Sequence, residues 1–144
     1  MTVQGKSISL TNGSSAAIDT GTTLVAGPVE GIAAIYDQIP GSSPGTGQWE
    51  GFYGYRKRRI SLSQTSRLMS VIACTHEVDV EISFGGLSWA ISPADFQFQP
   101  VSSLSDYCYG AFYSVPSSSN VPQWIIGDTF LVGPSISVVS WALT

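Results

Sequence analysis

Charge is what this chain has least of. Lys, Arg, Asp and Glu together make up 11% of its 144 residues, where a soluble domain usually carries about 25%. Histidine occurs once, as His76, and cysteine twice, as Cys74 and Cys108. No Cys-x-x-Cys or His-x-x-x-His spacing is present, so no ligand set for a metal is offered and no metal site is expected. No apolar run approaches the ~20 residues of a membrane helix, and no membrane partner is expected. The opening "MTVQGKSISL" lacks the apolar stretch of a signal peptide. Internal repeats and coiled-coil heptads are missing too. The net charge of −4 argues against a nucleic-acid partner, whose phosphates attract basic surfaces.

Apolar, small and turn-forming residues fill the space that charge leaves. Hydrophobic residues reach 43%, and Ser, Thr, Gly and Pro cluster between short apolar stretches. A chain of this length makes one domain with a core of its own. Short strands separated by turn residues suggest an all-β fold with one or two short helices, of an extracellular type. The scarce positive charge is concentrated. Arg56, Lys57, Arg58, Arg59 and Arg67 all fall in the acid-free stretch 56–73, leaving Lys6 as the sole base among ten acids elsewhere. No aromatic residue accompanies this island. It reads as a solvated loop outside the sheet, and as the first place a protease should cut.

The coarse order of elements follows from periodicity. "KSISL" alternates as a strand and "TNGSS" turns at Asn12-Gly13. Asn12-Gly13-Ser14 also fits the glycosylation pattern, at a tip too tight for secure use. "AAID" reads as a strand entering a buried place. "GPVEGIAAIYDQI" places Val29, Ile32, Ala33 and Ile35 on one helical face, with Pro28 in the first turn. "PGSSPGTGQW" is a loop. Val78, Val80, Ile82 and Phe84, then Leu87, Trp89 and Ile91 after Gly85-Gly86, spell a hairpin. "SPADF" is a capped turn with Ser92 as cap and Pro93 first. "YCYGAFYSV" reads as one strand. "VPQWIIGDTFL" is a strand running into Gly127 and a short helix capped by Asp128.

Asp19 in "AAIDTGTTLVAGP" is the candidate for chemistry. Burying a carboxylate is costly unless its charge is held. Gly21 lets the backbone turn and bring amides near the acid, and Thr20 and Thr22 offer hydroxyls. Two such acids facing one another share a proton, a behaviour established for the aspartic-protease dyad. Taken alone, Asp-Thr-Gly is also an ordinary strand-end turn. The two cysteines allow one intrachain pair, which if oxidised would close a loop of about 34 residues and contribute roughly 3–4 kcal/mol. His76 lies near Cys74, but no motif around them marks a thiol nucleophile, and it reads as a surface residue.

The stretches "SSAAIDTGTTL", "ISFGGLSWAISPADF" and "QWIIGDTFL" together resemble the C-terminal lobe of a pepsin-like aspartic endopeptidase, most nearly the secreted fungal type. The resemblance covers residues 1–55 and 74–131. It implies one incomplete lobe of the bilobal acid-protease fold, with Asp19 as the second catalytic aspartate. It implies that Thr20 bonds across to the other lobe's matching loop. It assigns Gly21 and Thr22 to contacts with the aspartate or the substrate backbone, and Trp124, Ile125 and Gly127 to the segment beside the cleft. It pairs Cys74 with Cys108. It implies a polypeptide substrate, a water activated between two aspartates, no cofactor, and a secreted or vacuolar address.

Three departures accompany the resemblance. Only one Asp-Thr-Gly is present, and the flap-bearing N-terminal lobe is missing, so the family's partner lobe is a further expected partner. Residues 56–73 interrupt the passage from "GFYGY" to Cys74 and read as a non-family insertion, a retained intron or loop. Residues 132–144 fit the family's terminal segment poorly. Two further readings use the same residues: a retroviral-type protease that completes its dyad by homodimerisation, and a non-catalytic fragment or pseudoprotease that only binds peptides.

Overall fold

The computed structural model describes residues 1–9, 14–56, 77–102, 107–116 and 122–132. The Asn12-Gly13 turn, residues 57–73 of the basic island, Cys74, His76 and the terminus from 133 lie outside the described residues. Twelve short strands, three short helices and a 3₁₀ turn at Gly47–Trp49 occur among them. The fold is mostly β, as one incomplete lobe of the pepsin-like architecture requires.

The strands form three sheets of four. The first runs in the order β2(Lys6–Ser7), β1(Thr2–Val3), β7(Val80–Ser83), β8(Ser88–Ile91) and is antiparallel throughout. β1 and β2 are joined through Gln4 and Gly5 at φ 50° and 75°, the left-handed pair that a tight hairpin needs. The expected strand "KSISL" is thus only the second arm of a hairpin that begins at Thr2. The β7–β8 hairpin forms as its alternation predicts. Val80 and Ile82 point into the core, while Phe84 and Leu87 at its tip are exposed.

The second sheet, β5(Ser43–Pro44), β6(Tyr53–Arg56), β10(Tyr107–Gly110), β9(Gln97–Pro100), is antiparallel as well. Arg56, read as the start of the basic island, is the last residue of β6 and pairs with Tyr107. The "PGSSPGTGQW" stretch holds β5 and the 3₁₀ turn rather than loop alone. "YCYGAFYSV" is not one strand. It breaks at Ala111, and β11(Phe112–Val115) leaves for the third sheet. An added Cβ at Gly110 would occupy the space of the Tyr36 ring, so the break occurs where that ring needs room.

The third sheet carries the site. Its order is β11, β4(Val25–Pro28), β12(Trp124–Ile126), β3(Ala16–Ile18). β12 enters between two strands that are neighbours in sequence, antiparallel to β4 and parallel to β3. α1(Val29–Tyr36) starts at once from β4, with Pro28 as its N-cap residue, and buries Ile32, Ile35 and Tyr36. The Tyr36 hydroxyl donates to the Phe112 carbonyl at 2.8 Å, and its ring stacks on Tyr53 at 4.6 Å. This one side chain ties α1 to both the second and third sheets. α2(Pro93–Phe96) is capped as expected, the Ser92 hydroxyl accepting from the Asp95 amide at 3.1 Å. α3(Asp128–Leu131) has Gly127, not Asp128, as its N-cap residue.

The core is continuous through all three sheets, from Val3 and Val80 through Phe96 and Tyr55 to Trp124 and Phe130. Cys108 is fully buried within it, and among the described residues no cysteine is free. No described helix is long and apolar enough to cross a membrane.

The Trp124 ring lies against β4 and α1 where both carry glycine, and an added Cβ at Gly27 would collide with the ring. Gly27→Ala should therefore destabilise the chain by about 1–3 kcal/mol through overpacking. Gly86→Ala, which meets nothing within 4 Å, should leave stability close to native. Urea midpoints of the two variants measure the contrast, and equal midpoints would contradict the packing described.

Candidate functional site

Asp19 stands at the end of β3, where the chain leaves the sheet before re-entering as β4. β3 is an edge strand in the order β11-β4-β12-β3, and Ile18 beside Asp19 is 41% exposed. The expected buried entry is therefore corrected: among the described residues β3 has no neighbour on its outer side, and Ala16 and Ile18 are exposed. Asp19 sits partly exposed on an open face.

The charge is held by local bonds instead of by a buried cation. The Gly21 amide donates to Asp19 Oδ1 at 2.9 Å. The Thr22 hydroxyl donates to Oδ2 at 2.6 Å. Each carboxylate oxygen thus receives one donor from the loop that follows it, and these bonds favour the ionised form. The Thr22 hydroxyl first, and the Gly21 amide second, hold the Asp19 carboxyl below the usual carboxylate range. An added Cβ at Gly21 would stand 3.2 Å from Asp19 Oδ1, so glycine permits the close approach. The Thr20 side chain is exposed and makes no hydrogen bond among the described residues.

The downstream segment fixes the loop from below. The Asp19 amide donates to the Ile126 carbonyl at 3.0 Å, extending the β3–β12 ladder by one residue. The next turn reverses the exchange. The Asp128 amide donates to the Thr22 carbonyl and the Thr129 amide to the Thr23 carbonyl, each at 2.8 Å. The first-turn amides of α3 have no partners inside a helix, and the acid loop supplies them. Gly127 is buried under this junction, where an added Cβ would collide with the Thr22 and Leu24 carbonyls.

The residues expected at the site divide accordingly. Asp19, Thr20, Gly21 and Thr22 lie together on the open loop. Gly127 supports that loop without reaching its face. Ile125 is half-buried in the middle of β12, paired with Ala17 and Ala26. Trp124 is 2% exposed, at the end of β12 away from the loop, and its ring packs on Gly27 and Gly31. The ring lines a pocket with Ile8, Pro28 and Glu30. Sequence reasoning passed over Thr129. It is 6% exposed, the one buried polar or charged side chain among the described residues. Its only signal was a hydroxyl inside the apolar run "WIIGDTFL". Among the described residues, no group of three or more His, Cys, Asp or Glu converges as a metal cage.

Comparison with known proteins bears on this arrangement. The family described as eukaryotic aspartyl protease matches residues 1–134. Major aspartyl peptidase 1 of Cryptococcus neoformans is 35% identical over 139 residues, which cover 91% of this chain and 25% of the relative. An aspartic protease of Phaffia rhodozyma is 35% identical over 124 residues, 83% of this chain and 25% of the relative. Pepsin A of Sus scrofa is 29% identical over 133 residues, 91% of this chain and 29% of the relative. The chain thus spans about a quarter of the length of the curated relatives it matches.

The Thr22 bond has a measurable signature. Thr22→Val removes the larger of the two influences on Asp19, and the carboxyl should then titrate at higher pH, nearer an ordinary carboxylate. Because the folded-state pKa is depressed, ionised Asp19 contributes stability above the ordinary carboxylate range, and that contribution is lost as pH falls through the folded value. Thr22→Val should flatten this acid-side loss. Carboxyl-detected NMR through the acid range measures the midpoint, and an unmoved midpoint would assign the effect to Gly21 alone.

Proposed function

The chain belongs to the eukaryotic aspartyl protease family, and from that membership we propose that it is the C-terminal lobe of an acid endopeptidase, contributing one of two catalytic carboxylates. Asp19 is that carboxylate. The observation that carries the reading is the placement of its charge: a partly exposed acid at a sheet edge, both oxygens held from one side by Gly21 and Thr22, the loop clamped from beneath by residues 126–129. A second acid would have to stand beside this partly exposed carboxylate.

The chemistry follows from pairing. Two carboxylates at close range cannot both ionise, and so share one proton. A water between them loses a proton to the ionised group while its oxygen attacks the peptide carbonyl carbon. The protonated group gives its proton to the developing oxyanion. The tetrahedral adduct then collapses, the C–N bond breaks, and the amine leaves with a proton. The donors around Asp19 favour its ionised form, which suits the side of the cycle that takes the water's proton. Thr20, exposed and not bonded to its own lobe, is placed to bond the opposing lobe's loop. Gly21 and Thr22 are the positions that contact the aspartate or the substrate backbone, and here both bond the aspartate. No cofactor enters this scheme.

The same reading pairs Cys108 with Cys74 in an oxidising compartment, and gives the protein a secreted or vacuolar address. It treats residues 56–73, which begin at the last residue of β6, as an insertion ahead of that disulfide, and 132–144 as an atypical end of the lobe.

With only Asp19 of the dyad, this chain alone should show little or no cleavage of unfolded protein at acid pH. Joined to a complementary N-terminal lobe it should cleave, and a statine-type transition-state mimic should block it. Asp19→Asn should then lower the rate by roughly 100- to 10,000-fold, the range for loss of a general acid or base. Inhibitor-sensitive cleavage by the chain alone, lost in Asp19→Asn, would replace the half-site reading with a homodimeric one.

A further inference from the structure

We propose that Thr129 is a positioning residue for the Asp19 carboxylate, acting through the Thr23 carbonyl. The inference rests on the reading of Asp19 as catalytic, and names a part of that site which the Asp-Thr-Gly stretch does not contain.

Thr23 follows the residue whose hydroxyl holds Asp19, and its carbonyl accepts two hydrogen bonds from one partner. The Thr129 amide reaches it at 2.8 Å, and the Thr129 hydroxyl at 2.9 Å, across 106 positions of sequence. Both acceptor positions of that oxygen are thereby filled. The amide bond would form with any residue at 129 except proline. The hydroxyl bond needs Ser or Thr, and the burial of Thr129 removes water as a substitute.

The consequence passes through two residues. With the Thr22 carbonyl held by Asp128 and the Thr23 carbonyl held twice by Thr129, the peptide on the C-terminal side of Thr22 cannot rotate. Thr22 is then fixed in the orientation that donates to Asp19 Oδ2. Without the hydroxyl of Thr129, the Thr23 peptide is held by one bond and the loop gains freedom, although the apolar packing of α3 through Phe130 is untouched. The effect belongs on the carboxylate before it belongs on global stability.

The test uses this chain with Thr129→Val, which keeps shape and removes the hydroxyl, and Thr129→Ser, which keeps the hydroxyl and removes a methyl. In Thr129→Val the Asp19 carboxyl, followed by NMR, should titrate at higher pH than in the unsubstituted chain. Amide exchange at Asp19 and Thr22 should quicken roughly fivefold, the factor matching one neutral hydrogen bond of about 1 kcal/mol. Thr129→Ser should restore the Asp19 midpoint whatever its effect on the urea midpoint. A folded Thr129→Val with an unchanged Asp19 midpoint would overturn the proposal, as would a shift that Thr129→Ser fails to reverse. If Thr129→Val does not fold, the unsubstituted chain decides. The amides of Asp19, Thr22, Asp128 and Thr129 should exchange as one unit, and protection at Thr129 that outlasts protection at Asp19 would overturn it. No readout needs catalysis, so a chain that passes here but never contributes to cleavage refutes only the protease reading.

Discussion

Everything at the acid loop depends on β12 entering between β3 and β4. Strands adjacent in sequence usually pair with each other; these two cannot, because a segment from more than a hundred residues downstream holds the place between them. The backbone groups that a simple hairpin would satisfy locally are satisfied by Trp124–Thr129 instead. Their desolvation makes that pairing obligatory: a buried amide or carbonyl left without a partner costs on the order of 1–3 kcal/mol. Glycine appears where the insertion brings backbones or rings closest, at Gly27, Gly31 and Gly127.

The arrangement separates rigidity from burial. A carboxylate in the interior would be held in place but pushed toward its neutral form by desolvation. Asp19 sits at a sheet edge with solvent on one side, and its orientation comes from donors in the next three residues, themselves fixed by α3. The charge is thus tuned by hydrogen bonds that do not require removal from water. Such a design suits a group that must meet a second acid, since the open side is left for the encounter. It also accounts for the edge position of β3, which a core acid would not tolerate.

Much of this was legible in the amino-acid order, for identifiable reasons. The β7–β8 hairpin and the Ser92 cap rest on local rules, alternation and short-range capping, and appeared where those rules put them. Asp19, Gly21 and Thr22 were legible because their interactions span at most three positions. What escaped was non-local. "YCYGAFYSV" is one nearly unbroken apolar and aromatic run, yet splits between two sheets at Ala111, next to the Gly110 over which the Tyr36 ring lies. The packing of the Trp124 ring on Gly27 and Gly31 was hidden because those partners lie far upstream in sequence. Thr129 gave almost no signal, as its partner lies 106 positions away. The exposed setting of Asp19 was hidden because an apolar run such as "AAI" does not reveal whether its strand has neighbours on one side or two.

The inserted strand also dictates when the site can exist. Parallel pairing of β3 with β12, like that of β4 with β11, joins parts of the chain far apart in sequence. Contacts so distant in sequence form slowly, since the entropy of closing the intervening loop is lost before any pairing compensates it. On a ribosome, Asp19 emerges before Thr129 and its loop stays unshaped until residue 129 has cleared the exit. During that interval β3 and β4 are strands without the neighbour that separates them, free to pair with each other or with another nascent chain. The same crossing that orders the acid loop in the finished lobe therefore sets a period of exposure during its making, and ties assembly of the loop to the arrival of β12 and α3.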